Sequence, residues 1–270
     1  MADPRFIHLR VHTEYSLLEG AMPVKKLIKM CDAAKIPAVA VTDTNVMFSA
    51  LEFCTTAKEY GLQPIMGCQT DVTFEESRPG EKPRLPAPVV LLAQTEAGYM
   101  NLMKLSTCLY IDKNGMLPQV SLDDLQAHSE GIICLTGGAE GPVGRLIQSG
   151  QLPKARDFLE RLAAIYPDRV YVELQRHPGE GGRLMEGERA TERPFLEMAY
   201  EMGLPIVATN EVFFPKTEMF EAHDAMLCIA EGTYVDQIQP RRRLTPQHYF
   251  KSEAEMVALF ADLPEAVENT

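Results

Sequence analysis

Val24-Lys-Lys-Leu-Ile-Lys-Met-Cys-Asp-Ala-Ala-Lys35 is followed by Pro37-Ala-Val-Ala-Val-Thr42 and then by Asp43-Thr44-Asn45. The first part repeats apolar residues at three- and four-residue spacing, as one buried face of a helix requires. The second is a short apolar, Val-rich run that reads as a buried strand, and the third is polar. Helix, strand and polar strand end in this order form the repeating unit of an α/β fold. Working outward, the same reading gives strands over Phe6 to His12, Pro64 to Val72, Val89 to Ala93, Gly131 to Leu135, Arg169 to Leu174 and Leu204 to Ala208. Ser49 to Tyr60, Glu96 to Tyr110, Lys154 to Tyr166 and Pro194 to Met202 carry the helical spacing between them. Seven strands, read as mostly parallel, predict an α/β fold closed or nearly closed into a barrel, and 270 residues are enough for one.

Two stretches break the alternation. Arg78 to Pro88 holds four prolines and Pro178 to Arg193 is rich in Gly, Glu and Arg, so both read as surface insertions. After the last strand, Lys216 to Ala230 and Glu253 to Ala261 read as helices, and Pro264-Glu-Ala-Val as the first turn of another. A helix begun so close to Thr270 is expected at the boundary of a piece of a longer protein, with terminal fraying as the alternative.

The chain sums 26 Lys and Arg against 38 Asp and Glu, a net charge of −12, which repels phosphate backbones unless the cations gather on one face. The start lacks a signal-peptide pattern, and the longest apolar run, Leu85 to Ala93, is far shorter than a membrane span, so a cytoplasmic protein is expected. Six scattered cysteines without a Cys-x-x-Cys pair read as buried thiols rather than a disulfide framework or a zinc site.

Alternation in the first strand sends His8, Arg10 and His12 to one face and Ile7, Leu9 and Val11 to the other. Two histidines there could chelate a metal, but a guanidinium only donates. At about 4 Å and an effective dielectric near 20 it would repel a dication by roughly 8 kcal/mol. Thr42-Asp43-Thr44-Asn45, Gln69-Thr70-Asp71 and Thr209-Asn210-Glu211 close three of the strands, where a barrel opens its active-site mouth; turn chemistry alone also favours such residues. No nucleotide-binding glycine motif, His-Glu-x-x-His or Gly-x-Ser-x-Gly is present. His128, His177, His223 and His248 read as structural or solvated. Arg241-Arg242-Arg243 reads as a salt-bridged or interdomain surface, with a DNA-facing role in a larger assembly as the alternative.

Phe6-Ile-His-Leu-Arg-Val-His-Thr-Glu-Tyr-Ser-Leu-Leu-Glu-Gly20 resembles the opening of the bacterial replicative DNA polymerase III alpha-subunit family. Ala40-Val-Thr-Asp43, Gly67-Cys-Gln69, Leu91-Leu-Ala-Gln-Thr-Glu-Ala-Gly-Tyr-Met-Asn-Leu102, Val207-Ala-Thr-Asn-Glu211, Phe250-Lys-Ser-Glu-Ala-Glu-Met256 and Leu259-Phe-Ala-Asp-Leu-Pro-Glu-Ala-Val-Glu-Asn-Thr270 follow in that family's order. The resemblance implies an amino-terminal polymerase and histidinol phosphatase (PHP) domain over residues 1–270, a distorted (β/α)7 TIM-like barrel. It ends with the start of the connection to the polymerase region, whose palm and later domains would lie beyond.

Active members of that family carry His, Asp, Glu and Cys metal ligands at the barrel mouth. By resemblance, His12 and Asp43 retain ligands, while Arg10 and Thr44 stand in place of histidines. Glu19 and Glu211 replace aspartates, Gln69 a glutamate, and Pro88, Gly138 and Phe213 fall where the pattern has His, Cys and His. The metal set is therefore dismantled, no metal or other cofactor is expected in this chain, and Arg10 is expected to stand in for the missing charge among Glu19, Asp43 and Glu211. The implied role is a catalytically inactive scaffold within a DNA-directed DNA polymerase, a nucleotidyltransferase of DNA replication whose own divalent metal sits in the polymerase site. Its expected partners are the palm and other domains of the same chain and the proofreading exonuclease subunit, with DNA reached through the holoenzyme and no membrane. The alternatives are an active metal-dependent phosphoesterase or 3'-5' exonuclease at the barrel mouth and, resting on Arg241 to Arg243, a nucleic-acid-binding module.

Overall fold

A computed structural model describes residues 6–74, 85–111, 117–237 and 241–270. Helix α1 (Val24–Ala34) leads into β1 (Ala38–Val41), and α2 (Ala50–Glu59) into β2 (Gln63–Val72) and β3 (Ala87–Ala93). There follow α3 (Glu96–Tyr110), α4 (Leu122–Ala127), β4 (Ile132–Leu135), α5 (Pro142–Gln148), α6 (Leu152–Ile165), β5 (Val170–Gln175), α7 (Glu186–Met202) and β6 (Ile206–Thr209). The last third adds α8 (Phe220–Glu231), α9 (Glu253–Leu259) and α10 (Pro264–Glu268). Among the described residues, none of these helices is long and apolar enough to cross a membrane.

The strands lie side by side in chain order, β1 to β6, but the sheet is mixed rather than mostly parallel. β1 with β2, β4 with β5 and β5 with β6 are parallel, while β3 runs antiparallel to both neighbours. The sequence between β2 and β3 is consistent with the reversal. A parallel crossover needs about a dozen residues, usually helical, and the four prolines in Arg78 to Pro88 disfavour a helix by their composition. Residues 78–84 of that expected insertion lie outside the described residues, and Ala87 and Pro88 belong to β3.

Phe6 to His12 is not a seventh regular strand. Ala40 N–H donates to the His8 carbonyl and Thr42 N–H to that of Val11, so three residues of this segment advance against two of β1. The extra residue interrupts the ladder as a bulge does. On its other side His12 N–H donates to the Val212 carbonyl and Val212 N–H to that of Arg10. The segment thus bridges β1 to the chain just after β6 and closes the sheet into a distorted barrel. Residues 6 to 12 are all buried, as a stretch covered on both faces must be.

Register separates the two faces. Gln69 pairs with Val90, Val90 with Leu135, Leu135 with Tyr171, and Glu173 with Val207, which puts these side chains on the inner face. Val89, Leu91, Cys134, Val172, Leu174 and Ala208 point the other way and pack with Leu102, Leu105, Phe158, Leu162 and Phe195 of the outer helices. Two expectations are corrected along the chain. Pro178 to Arg193 is only partly loop, because α7 starts at Glu186 and runs through Pro194, burying Glu188 and Thr191. The helix expected from Lys216 begins at Phe220, after a single tight turn over Thr217–Met219.

Candidate functional site

Arg10 rises from the closing segment into the barrel and is 1% exposed. Its Nε and Nη2 both donate to Gln69 Oε1 at 3.2 and 2.7 Å, Nη1 donates to Glu173 Oε1 at 3.0 Å, and Nη2 to Glu211 Oε1 at 2.7 Å. Burial alone would lower the guanidinium pKa; the Glu173 and then the Glu211 carboxylates outweigh it and hold Arg10 charged. Glu173 is in turn fixed by Thr209 Oγ1 and by the Gly137 amide, which donates to Oε2 at 2.9 Å. Gly137 can do this because it sits at φ +83° with its backbone against Pro88: a Cβ there would lie 1.9 Å from the Pro88 carbonyl oxygen.

Glu211 adopts φ +45°, a left-handed conformation uncommon outside glycine that a surrounding structure must enforce. Burial raises its pKa and the Arg10 charge opposes that rise. His12 lies beside it, Nε2 at 3.8 Å from Glu211 Oε1 and without a hydrogen-bond partner, while Nδ1 meets Thr44 Oγ1 and Ser16 Oγ at 3.3 and 3.4 Å. The His12 ring stacks on Phe213, centroids 4.3 Å apart and planes within 3°. Burial first, then the charges of Arg10 and Arg242, push the His12 pKa well down, so the imidazole is neutral.

Two residues expected around Arg10 are elsewhere. The Asp43 carboxylate accepts from Thr13 N–H at 2.6 Å and from the hydroxyls of Thr13, Ser16 and Ser49. It clamps the loop after the closing segment to the loop after β1 and does not touch Arg10. Burial raises its pKa and these hydrogen bonds pull it back. Glu19 accepts from Thr44 Oγ1 and from Arg242 Nη1, each at 2.6 Å. The fully buried carboxylate partner of Arg10 is Glu173, which stands inside an apolar strand and carries no motif of its own. A carboxylate two positions before Gln175 on a face shared with other polar strand residues was the available signal. Gly138 lies against Gln175, whose Oε1 would stand 2.6 Å from an added Cβ. Thr44, Gln69, Pro88, Gln175 and Glu211 line one open cleft of ≈ 950 Å³, and Arg241 to Arg243 line it too.

These contacts do not suit the divalent metals of the family the sequence resembles. A guanidinium occupies the carboxylates, the Asp43 oxygens are taken up by donors, and Phe213 covers His12 with a ring that has no lone pair to offer. Among the described residues, no three or more His, Cys, Asp or Glu side chains are grouped to hold a metal ion.

Residues 8–177 match the model of the PHP domain family. The chain belongs to the PHP domain family. It is similar to the DNA polymerase III subunit alpha of Caulobacter vibrioides, 43% identical over 266 residues that cover 98% of this chain and 23% of the relative. To that of Pseudomonas aeruginosa it is 38% identical over 267 residues, 98% of this chain and 22% of the relative. This PHP chain therefore spans under a quarter of the length of these curated relatives. A solved amidohydrolase from Chromobacterium violaceum, with bound sulfate and no metal, is 15% identical at a TM-score of 0.49, covering 77% of this chain and 87% of that one.

Proposed function

We propose that this PHP domain is part of a DNA polymerase III alpha subunit and serves DNA replication in the cytoplasm as a catalytically inactive, metal-free scaffold. In this reading it stabilises the adjoining palm and other polymerase domains and docks the proofreading exonuclease subunit. DNA and the catalytic divalent metal are handled by the polymerase part of the parent chain. The observation that carries the reading is the Arg10 guanidinium, buried and hydrogen-bonded to Gln69, Glu173 and Glu211. A permanently charged donor cannot ligate a metal or generate a metal-bound nucleophile, and it repels any cation brought to the same carboxylates.

The test is the metal content of the purified, dialysed chain before and after exposure to manganese and zinc, with hydrolysis of a chromogenic phosphodiester measured alongside. Substoichiometric metal and no hydrolysis above buffer are expected. One metal per chain with hydrolysis abolished by His12→Ala would replace this reading with a metal-dependent phosphoesterase. Docking is tested separately by titrating the chain with the exonuclease subunit, and no binding would remove that part of the proposal.

A further inference from the structure

A second guanidinium reaches the mouth from outside the family match. Arg242 lies on the stretch after α8, and its Nη1 donates to Glu19 Oε1 at 2.6 Å. Its Cζ stands 5.7 Å from the centroid of Phe213, the ring on which His12 stacks. The neighbouring Arg241 anchors the stretch with two hydrogen bonds of 2.7 Å to the Asp224 carboxylate of α8. His223 fixes the other end of the contact, with Nε2 at 2.6 Å from the Glu19 carbonyl.

Three carboxylates at or beneath the mouth are thus divided between two guanidiniums. Arg10 holds Glu211 and Glu173, and Arg242 holds Glu19, whose second oxygen accepts from Thr44 Oγ1. Between the two pairs lies His12, with one buried nitrogen unpartnered. Arg10 is sealed in the barrel, but the Arg242 side chain is 38% exposed and its carboxylate partner 23%. The outer pair is therefore the one that solvent reaches more fully.

We propose that Arg242 is a second built-in cation of the mouth, a latch that neutralises Glu19 and keeps mobile cations off the Glu19, His12 and Glu211 edge. This rests on the metal-free reading of the site. Burial would lower the Arg242 pKa, but Glu19 and then Glu211 raise it, which agrees with a guanidinium facing both carboxylates. Manganese is the suited probe, since it takes carboxylate and imidazole ligands together.

The experiment is manganese binding by the whole chain, followed by calorimetry and by the electron paramagnetic resonance signal of free Mn²⁺, for wild type, Arg242→Met, Arg242→Lys and Arg242→Met/Glu19→Gln. Met keeps an apolar stem against Phe213 and removes the charge; Lys keeps the charge. Arg242→Met is expected to bind Mn²⁺ at least about tenfold more tightly than wild type, with the gain absent in Arg242→Lys and lost in the double variant. Equal binding by Arg242→Met and wild type, with both natively folded by circular dichroism, overturns the latch and leaves the metal-free reading standing. Stoichiometric Mn²⁺ on the wild type overturns the metal-free reading itself. Should Arg242→Met fold poorly, Arg242→Gln is measured in the same way.

Discussion

Replacing Arg10 with methionine keeps much of the side-chain volume while removing the charge and every donor. The change strips one carboxylate with no solvent exposure, Glu173, and one with 14%, Glu211, of their shared cation. Glu173 keeps the Gly137 amide and the Thr209 hydroxyl, but its ionised form is then buried without a counter-charge. Breaking a buried ion pair by removing one partner costs about 3 to 5 kcal/mol, whereas exposed pairs contribute about 0 to 1 kcal/mol. At this chain length each kcal/mol moves a melting midpoint by about 2 to 4 °C, so Arg10→Met should melt roughly 6 to 20 °C below wild type. The partner change isolates the cause. Adding Glu173→Gln to Arg10→Met removes the stranded charge and should restore at least about 1 kcal/mol, a coupling readable in urea unfolding followed by circular dichroism. If Arg10→Met melts within a degree of wild type, or Glu173→Gln adds its own loss with no coupling, the guanidinium is not the cation that holds the barrel interior together.

Two further outcomes probe the same architecture. Gly137→Ala should cost more than about 2 kcal/mol, because it combines a left-handed backbone with a clash against Pro88, while Gly61→Ala, at φ +67° with nothing within 4 Å of its Cβ, should cost only about 1 kcal/mol. Equal thermal shifts for the two would show that close approach at Gly137 does not matter. For pH, burial lowers the His8 pKa to about 4, so the folded state holds it neutral where the unfolded chain begins to protonate near 6.5. Its contribution is therefore present above pH 6.5 and lost as pH falls, by about 1.4 kcal/mol per unit and about 3 kcal/mol by pH 4. Asp43 and Glu211, with pKa values raised by burial, act in the opposite sense, so the His8 share is read as the difference between wild type and His8→Phe in urea titrations at pH 7 and pH 4.5. Parallel pH profiles for the two proteins would refute it.

Much of this architecture was legible where local rules and tertiary packing agree. The spacing of Val24 to Lys35 and of Glu96 to Tyr110 places α1 and α3 to within a residue, because each buries one apolar stripe. The short helices α4 and α5 have too few turns to show a spacing pattern, although Ser121 with Asp124 forms a capping box and Pro142 stands at a first helical turn. Pro194 reads as a first-turn proline and so hides the first two turns of α7, which the packing of Glu188 and Thr191 reveals. The antiparallel β3 and the bulged closing segment depend on pairing, which apolar runs alone do not encode. At the mouth, the residue types were readable one by one, but their partners were not. Asp43 turns to three nearby hydroxyl side chains, Thr13, Ser16 and Ser49, and Glu173 takes the place beside Arg10, because a barrel brings β5 opposite the first segment at a sequence separation of 163 residues.

The choice between a bound metal and a tethered guanidinium also decides what the fold depends on. A metal that binds only the folded state stabilises it by an amount that grows with free metal concentration and vanishes when the metal is chelated. Arg10 is covalently part of the chain it stabilises, so its contribution carries no concentration term, and the segment that bridges β1 and Val212 is the one that brings the guanidinium to Glu173 and Glu211. That same segment joins the first and last parts of the sheet, so the residues that close the barrel also carry its buried cation. In the proposed scaffold, a cation fixed by the chain itself would take the place of an exchangeable Lewis acid, and the charge balance of the mouth would not vary with metal supply.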